Sequence, residues 1–300
     1  MITRINEEMH YPMEMKGIIL AGGNGTRLWP ITASISKQLL PVYDKPLIYY
    51  PLSTLMLAGI REILIITKSD DLPHFKKLLG DGSQFGLQVS FAAQDAPRGI
   101  ADAFLVGSDF IGMDSVCLIL GDNIFFGPGL GSDLENIEIR EQATVFSYDV
   151  ADPERYGVVE VDTDGRVVTI EEKPDKPKSN SVIPGIYFYP NSVVEIAKNL
   201  KPSARGEIEI TDVNLEYLNT EKLVCRKLGR GTVWFDTGTF DSMSDASNFI
   251  RAIEVRQGIK VNVPEEVAFR KGFKSSKEIL DLLGSYPLND YRRYIESILG

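Results

Sequence analysis

The chain has 300 residues, of which 43% are hydrophobic and 25% are charged, and its net charge is −10. This composition is that of an ordinary folded protein, and the length permits one large α/β domain or two small ones. The negative charge argues against non-specific nucleic-acid binding, which requires a basic surface. A few Lys and Arg residues in one cleft could still hold a phosphate group.

The cysteines argue against a metal-binding or redox protein, and the apolar runs argue against a membrane protein. Cys117 and Cys225 lie in apolar runs without Cys-x-x-Cys spacing, so we expect neither a metal nor a redox role for them. Reduced cysteines of this kind favour a cytoplasmic protein. No apolar run approaches the ~20 residues of a transmembrane helix, so no membrane association is expected. Residues 1–14 carry acidic side chains and no apolar segment, so we expect a disordered leader that can be removed without loss of activity.

The first 120 residues alternate between predicted strands and helices. The predicted strands are 16–21, 62–67, 87–92 and 116–120, and the predicted helices are 51–59, 75–79 and 100–106. This alternation indicates βαβ units and a mainly parallel sheet. In such sheets ligands bind at the carboxyl ends of the strands, and glycine breaks follow Ala21 and Leu120 at two such ends.

The second half is richer in short strands. The predicted strands are 143–148, 156–161, 167–170, 185–189, 223–228 and 233–235. They indicate a mixed or antiparallel sheet beside the first half. Helical spacing occurs at 193–200, 242–255 and 276–299. Since there is neither an internal repeat nor a low-complexity linker, we expect one domain with embellishments.

A glycine-rich segment, GGNGTR at residues 22–27, follows the first predicted strand. Glycines allow backbone N–H groups to approach a phosphate. The segment lacks both the Lys-Ser/Thr pair of a Walker A loop and the third glycine of a dinucleotide-binding fingerprint. By itself it leaves a phosphate loop and a plain tight turn equally open, but Arg27 could stabilise charge on a leaving pyrophosphate. Lys37 is either a second phosphate contact or an ordinary surface lysine.

Two aspartates follow predicted strands. Asp122 comes after the strand at 116–120, and Asp236 comes after the strand at 233–235. Mg²⁺ is commonly held by one or two carboxylates together with phosphate oxygens and water. An Asp before Asn or before Thr-Gly is more often a turn or cap residue, and this interpretation is the stronger one for Asp236 considered alone.

Longer motifs resemble a known family. The run LAGGNGTRL at residues 20–28, followed by SKQLLPVYDKP at residues 36–46, resembles the signature of the glucose-1-phosphate thymidylyltransferases. Further matches follow in the same order at 79–83, 120–123, 171–174, 205–207 and 234–239. The resemblance extends over residues 15–271, and the second run is specific to this branch of the nucleotidyltransferases.

The resemblance implies a fold and a domain organisation. The expected class is α/β, with a Rossmann-like, mixed and mainly parallel sheet flanked by helices, a β-rich sugar-binding part and C-terminal helices. This is the nucleotide-diphospho-sugar transferase fold. Residues 15–241 would form the catalytic domain, with a nucleotide half at about 15–140 and a sugar half at about 141–241. Residues 242–300 would form a helical region for assembly and regulation.

The resemblance also implies an activity. The nucleoside monophosphate of dTTP would be transferred to α-D-glucose-1-phosphate with Mg²⁺, giving dTDP-glucose and pyrophosphate by in-line attack. Three alternatives stay open: use of UTP, use of another hexose-1-phosphate, or a catalytically silent nucleotide-sugar sensor. A silent protein would be expected to have lost Arg27, Asp122 or Asp236, and all three are present. A dehydrogenase would require an acidic ribose ligand ~20 residues beyond the glycine loop, and the loop is followed instead by Lys37-Gln38 and a proline-rich segment.

Site residues carry over by position. The catalytic residues would be Arg27, Lys37, Asp122, Lys173 and Asp236, and the two aspartates would hold Mg²⁺. The nucleotide-binding residues would be Leu20, Gly22, Gly23, Gly25, Thr26, Arg27, Gln38, Gln94, Pro97, Gly99 and Asp122. The sugar-phosphate residues would be Asn123, Tyr156, Gly157, Glu172, Lys173, Ile183, Tyr187 and Arg205. From the residues alone, Gln94 would be a polar turn residue and 171–173 an exposed strand end. Neither His10 nor His74 lies near a motif.

Assembly and regulation are implied as well. The family pattern is a homotetramer with a second, regulatory nucleotide site between subunits, here near Gly229, Arg230, Glu266 and Arg270. The loop at 127–131 lacks the histidines of some members, so we expect weaker feedback inhibition. Pro184, Arg98 and Asp102 also stand at positions where members differ. The apolar stripe of Phe249, Ile250 and Ile253, and the patch of Met56 and Leu57, either form subunit contacts or cover the central sheet.

Overall fold

The computed structural model describes residues 15–23 and 25–300. The expected leader at residues 1–14 lies outside the described residues. The strands are β1 (Met15–Leu20), β2 (Pro41–Val42), β3 (Lys45–Pro46), β4 (Glu62–Thr67), β5 (Gln88–Ala93), β6 (Ser115–Leu120), β7 (Asn123–Phe126), β8 (Ala143–Asp149), β9 (Gly157–Val161), β10 (Val167–Glu172), β11 (Ser181–Val182), β12 (Ile186–Tyr189), β13 (Leu223–Lys227) and β14 (Val233–Asp236). The helices are α1 (Tyr49–Leu57), α2 (Leu72–Leu79), α3 (Asp102–Val106), α4 (Ser108–Ile111), α5 (Leu130–Glu135), α6 (Val193–Asn199), α7 (Ile210–Asn219), α8 (Phe240–Gln257), α9 (Pro264–Arg270), α10 (Ser276–Leu283) and α11 (Asp290–Leu299).

A mixed sheet forms the centre of the molecule. Across the described residues it has ten strands, in the order β10-β9-β11-β8-β12-β6-β1-β4-β5 with β13 beside β8. β1 is parallel to both β4 and β6, and β4 is parallel to β5. In this described sheet, β10, β11 and β12 run opposite to the other strands. The predicted α/β class with a mixed, mainly parallel sheet is confirmed.

Helices cover both faces of the sheet, because the parallel strands are apolar on both sides. Ile19 packs into a core cluster with residues of α1, α2 and the C-terminal helices. Its neighbour Ile18 packs into a second cluster with residues of α3, α6 and α7. Successive side chains of a strand point to opposite faces, so the KGIIL run supplies both cores at once.

A third, smaller core lies beneath α8 and contains its apolar stripe. Ile250 is fully buried there with Val42 and Leu47, and Phe249 and Ile253 pack against the same cluster. Met56 is fully buried in the first core. Met56 and the partly buried Leu57 thus pack under the central sheet, whereas the α8 stripe covers the small third core and not the central sheet. Whether the partly buried Phe249, Ile253 and Leu57 also form subunit contacts stays a prediction.

A buried ion network ties the β2–β3 hairpin to α8. The Lys45 ammonium is almost fully buried and contacts the carboxylates of Asp44 at 2.5 Å and Glu254 at 3.2 Å. Lys260 contacts the same two carboxylates. Buried charges persist when they are paired in this way. The network anchors the segment that follows Lys37, and this helps to fix the position of the Lys37 backbone.

Several element predictions need correction. The helices α5, α7 and α9 and the short strand β7 were missed, and the predicted helix at 276–299 is two helices separated by a turn around Pro287. In α7 the buried Ile210, Val213 and Tyr217 do show helical spacing. β7 has only four residues and gains its stability from pairing with β14, so local periodicity could not reveal it.

Among the described residues, none of the helices combines the length and the apolar character needed to cross a membrane.

Candidate active site

Three strand ends meet at one edge of the parallel sheet. The N–H of Gly121 donates to the carbonyl of Leu20 at 2.9 Å, and the N–H of Ala21 donates to the carbonyl of Ile66 at 2.7 Å. The glycine loop after β1, Asp122 after β6 and Lys68 after β4 therefore lie side by side. This is the edge at which parallel sheets bind their ligands.

The β7–β14 pair brings the two predicted metal ligands together. Asp236 lies opposite Asn123 in this antiparallel pair, directly beside Asp122. The N–H and the hydroxyl of Thr237 both donate to the carbonyl of Asp122, at 3.1 and 2.8 Å. Backbone pairing thus holds the two carboxylates at one place.

The two carboxylates are electrostatically different. Burial alone would raise the pKa of Asp122, but the Lys37 ammonium, which hydrogen-bonds to Oδ2, and the Asn123 amide, 2.9 Å from Oδ1, lower that pKa below its ordinary value. Burial and the neighbouring charge of Asp122 raise the pKa of Asp236. Two neighbouring carboxylates oppose each other's ionisation, and a cation between them stabilises the form in which both are ionised.

The arrangement fits a magnesium ion that also binds substrate. Among the described residues, no group of three or more His, Cys, Asp or Glu side chains forms a metal cluster. A cation at Asp122 and Asp236 would take its remaining ligands from phosphate oxygens and water, as Mg²⁺ commonly does.

Arg27 lies against this pair. A Cβ built on Gly238 would lie 3.0 Å from Nη2 of Arg27 and 3.1 Å from Oδ1 of Asp236, so both groups flank the same glycine. Arg27 sits on a short 3-10 helix directly after the glycine loop, which carries its guanidinium over the sheet edge.

A cavity of about 450 Å³ extends from the aspartates into the second half of the chain. Within its lining, the Lys173 ammonium lies 2.9 Å from Oε1 of Glu172, and the Arg205 guanidinium contacts both carboxylate oxygens of Glu209 at 2.9 Å. Lys173 has a left-handed backbone with φ of 46°, which is uncommon for a residue other than glycine and is often found at functional sites. These basic side chains therefore line the same cavity as the two aspartates.

Two further residues of the cavity have defined protonation states. Burial opposes ionisation of Glu172, but the Thr211 hydroxyl, 2.5 Å from Oε2, and Lys173 lower the pKa of Glu172 below its usual value. Burial raises the pKa of Tyr156 to about 12. Near neutral pH, Glu172 is a hydrogen-bond acceptor and Tyr156 is a neutral phenol.

The cavity unites all eight predicted sugar-side residues with the two aspartates. The predicted residues that line it are Arg27, Asp122, Asn123, Tyr156, Gly157, Glu172, Lys173, Ile183, Tyr187, Arg205 and Asp236. Asn123 is already engaged, because its Oδ1 accepts hydrogen bonds from Trp234 Nε1 at 2.6 Å and from the Gly185 N–H at 3.2 Å. Its clearest role in the structure is to orient Asp122, and its contact with a sugar stays a prediction.

A residue missed in the sequence, Arg155, lines the same cavity. Its guanidinium donates to Asp152 at 2.7 Å and lies 4.0 Å from a carboxylate oxygen of Asp236. It also lies over the ring of Tyr156. The sequence signal was its place beside Tyr156, but the local pattern does not show that it faces Asp236.

A second cavity of about 340 Å³ lies on the other side of Lys37 and is bounded by the glycine loop. Gly23 and Gly25 line it together with Lys68 and His74. His74 is distant from the glycine loop in sequence, but β4 places the start of α2, and with it His74, beside the loop. His10 lies outside the described residues.

The predicted base-binding residues lie at the end of β5. The backbone N–H of Gln94 donates to the carbonyl of Thr67 at 2.8 Å, and the following loop is held against the sugar half of the chain. There the N–H of Ile208 donates to the carbonyl of Arg98 at 2.7 Å, and a Cβ on Gly99 would lie only 2.3 Å from the carbonyl oxygen of Ile208.

The remaining predicted nucleotide-binding residues line neither of these two cavities. Gln38 is buried, and its Oε1 accepts a hydrogen bond from the Ser36 hydroxyl at 2.8 Å. Its backbone carbonyl accepts from the N–H of Ile48. Leu20, Gly22, Thr26 and Pro97 lie at or near the same strand ends, and their contacts with a nucleotide stay predictions.

The predicted regulatory residues form two groups. β14 pairs with β7 so that Val233 lies opposite Phe126, which places the loops at 127–131 and 229–232 side by side. Gly229 and Arg230 line a groove there, whereas Arg270 pairs with Glu266 at 2.6 Å on α9. Within the described chain the groove is not lined by Glu266 or Arg270, so a site joining all four residues stays a prediction about subunit contacts.

Comparisons with known proteins agree with this geometry. The family model described as nucleotidyl transferase matches residues 16–253, so the chain belongs to the nucleotidyl transferase family. A glucose-1-phosphate thymidylyltransferase of Mycolicibacterium smegmatis is 57% identical over 285 residues, which cover 95% of this chain and 99% of that protein. Within the family, the chain therefore belongs to the glucose-1-phosphate thymidylyltransferases.

Solved structures show the same fold. A Bacillus anthracis protein assigned as a glucose-1-phosphate thymidylyltransferase, in complex with sucrose, superimposes with a TM-score of 0.74 at 42% identity, covering 79% of this chain and 96% of that one. A UDP-glucose pyrophosphorylase complexed with UDP-glucose gives a TM-score of 0.69 at 25% identity, covering 80% of this chain and 99% of that one.

Proposed function

We propose that this chain transfers the nucleoside monophosphate of dTTP to α-D-glucose-1-phosphate, giving dTDP-glucose and pyrophosphate. The observation that carries the proposal is that Asp122 and Asp236 line the same cavity as Lys173 and Arg205. The two aspartates suit a cation that binds a triphosphate, and the two basic side chains suit the phosphate of a second, anionic substrate. The high identity to the Mycolicibacterium enzyme supports the same pair of substrates.

The sugar phosphate would be held at the Lys173 side. Its phosphate takes over the positive charges of Lys173 and Arg205, which pair with Glu172 and Glu209 in the structure described here. Charge-assisted hydrogen bonds from an ammonium and a guanidinium fix the orientation of a phosphate. The ionised Glu172 is placed to accept hydrogen bonds from sugar hydroxyls.

The triphosphate would be held at the other side. Gly23, Gly25 and Lys37 line the second cavity, and Arg27 lines the first cavity, where it and Asp236 flank Gly238. These groups would bind the β and γ phosphates. Asp122 and Asp236 would hold Mg²⁺, which when bound supplies positive charge where the phosphates react.

The reaction is an in-line displacement. A phosphate oxygen of glucose-1-phosphate forms a bond to the α-phosphorus, and the bond from the α-phosphorus to the bridging oxygen of the β-phosphate breaks, releasing pyrophosphate. The nucleophile is already anionic, so the chain need not supply a general base. Its residues contribute positioning and charge stabilisation, which dominate phosphoryl-type transfer.

A pyrophosphate-release assay tests the proposal. The purified chain would be offered dTTP, UTP, ATP and GTP, each with glucose-1-phosphate and with other hexose-1-phosphates. We expect the highest kcat/KM for dTTP with glucose-1-phosphate. UTP should also be used, but less well, because loss of the thymine methyl costs only ~1–3 kcal/mol of discrimination. A strong preference for ATP or GTP would contradict the proposal.

The structural likeness to a UDP-glucose pyrophosphorylase keeps UTP as the second candidate donor. The same assay decides between the two pyrimidine nucleotides. A kcat/KM for UTP above that for dTTP would replace the first candidate by the second.

The chain is also proposed to consist of a nucleotide half at about 15–140, a sugar half at about 141–241 and an assembly region at 242–300.

A further inference from the structure

The side chain of Gln94 is held by a buried carboxylate. Its amide nitrogen Nε2 donates to Oδ2 of Asp102 at 2.7 Å, and Gln94 and Asp102 are 8% and 1% exposed. The guanidinium of Arg98, whose own side chain is mostly exposed, lies 3.4 Å from the same Asp102 oxygen. Asp102 begins α3, immediately after the loop that is fixed to Ile208.

This contact determines which end of the amide faces away from Asp102. A carboxylate paired with a guanidinium accepts hydrogen bonds and has none to donate, whereas an amide has a donor end and an acceptor end. The NH₂ group of Gln94 must therefore point to Asp102. Its carbonyl oxygen Oε1 points to the glycine loop, where a Cβ on Gly22 would lie 3.2 Å from it.

We propose that Asp102 sets the base specificity by locking Gln94 with its carbonyl oxygen toward the nucleotide. A carbonyl oxygen accepts a hydrogen bond from a ring N–H. Thymine and uracil carry such a donor at N3, whereas cytosine has an acceptor at N3 and would face the oxygen lone pair to lone pair. The inference rests on the proposed function, in which Gln94 contacts the base. Asp102 itself is a positioning residue that does not touch the base.

The lock depends on the acceptor-only character of residue 102. An Asn at this position has nearly the same size, but it offers either a donor or an acceptor, so the Gln94 amide could turn round. Sites built to hydrogen-bond a polar group reject analogues that leave that group unpaired by about 10⁴-fold or more. Loss of the lock should therefore weaken discrimination at N3 without removing the site.

The test compares dTTP with 5-methyl-dCTP, which keeps the methyl group and the deoxyribose and changes only the hydrogen-bonding edge. In the unsubstituted enzyme we expect a preference for dTTP of about 10⁴-fold in kcat/KM. Asp102→Asn should reduce this preference at least about tenfold, and the reduction should arise from the KM values of the two nucleotides. The matched variant Asp95→Asn should keep the preference. Asp95 belongs to the same loop, but its carboxylate bonds to the N–H and hydroxyl of Ser69.

Two outcomes would overturn the inference. The first is comparable use of the two nucleotides by the unsubstituted enzyme, which needs no variant to fold. The second is an unchanged preference in a folded Asp102→Asn. If no nucleotide is turned over at all, the proposed function fails instead. Equilibrium binding of the same two nucleotides to both proteins then makes the same comparison, and equal binding to the unsubstituted chain would overturn the inference.

Discussion

At the scale of single residues, Asp122 is held through both its carboxylate and its backbone. Its carboxylate is bonded by Lys37 and Asn123, and its carbonyl is bonded by Thr237. We predict that Asp122→Asn lowers kcat by about 10²–10³-fold at saturating Mg²⁺, as expected when one preorganised electrostatic group is lost. Circular dichroism should show an unchanged fold.

The matched control for Asp122 is Asp114→Asn. Asp114 also pairs with a lysine, Lys16 at 2.9 Å, but it precedes β6 instead of following it. We expect turnover close to that of the unsubstituted protein. Near-normal turnover in Asp122→Asn itself would contradict its assignment as a metal ligand.

Arg155 supplies a second residue-scale prediction. Its guanidinium lies between Asp152 and Asp236 and faces the cavity. We predict that Arg155→Met lowers kcat/KM about tenfold or more, the equivalent of one hydrogen bond to a charged group. Asp152→Asn keeps the guanidinium and should cost less. Equal losses in the two variants would show that Arg155 acts only through its contact with Asp152.

Glu265 gives a prediction on pH. It is almost fully buried on α9 and accepts hydrogen bonds from Tyr286 at 2.8 Å and Tyr291 at 2.7 Å. Burial nevertheless raises the pKa of Glu265. Because the folded state holds this proton more tightly than the unfolded state, the stabilisation is complete below the ordinary glutamate value of about 4.3 and is lost as pH rises through the folded pKa.

The measurement is the free energy of urea unfolding at about pH 5 and about pH 8. The unsubstituted chain should lose more stability between these values than Glu265→Gln, whose amide does not titrate. Identical pH dependence in the two proteins would mean that the carboxyl group is ionised in the fold throughout this range.

At the scale of elements, the loop between β5 and α3 connects the two halves of the site. It carries Gln94 and is bonded to Ile208, just before α7. We predict that Gly99→Ala destabilises the fold by several kcal/mol or displaces the loop, because its Cβ would lie 2.3 Å from the Ile208 carbonyl and φ is +99°.

The matched control for Gly99 is Gly129→Ala. Gly129 has a similar φ of +78°, but a Cβ there meets nothing within 4 Å. Its cost should be the ~1–2 kcal/mol of the left-handed backbone alone. Thermal unfolding of both variants measures the difference, and equal losses would show that contact with Ile208 is unimportant.

At the scale of the whole molecule, the prediction concerns assembly. We predict a homotetramer with a regulatory nucleotide site at subunit contacts that include Gly229, Arg230, Glu266 and Arg270. The loops at 127–131 and 229–232 adjoin, and Arg230 lines a groove formed by residues 227–232 together with Tyr148 and Asp149. Arg230→Ala should weaken inhibition by dTDP-rhamnose, since arginine binds a diphosphate with paired hydrogen bonds. Light scattering measures the mass, and a monomer would remove the site.

The sequence by itself determined the central strands and the chemistry at their ends. Continuous apolar runs such as that of β4 can only be buried, and a glycine break after such a strand marks a sheet edge. The family motifs then supplied the predicted roles of Lys173 and Arg205, which composition alone would have left as exposed charges. These features are local, so a short window of sequence contains them.

Only the tertiary structure decided which distant residues meet. The β7–β14 pair places Asp236 beside Asp122, β4 places His74 beside the glycine loop, and α3 places Asp102 behind Gln94. Each contact depends on strand order and register, which no local periodicity encodes. The stripe on α8 likewise has the same pattern whether it covers a core or a partner, and its burial against Val42 and Leu47 assigned it to the core.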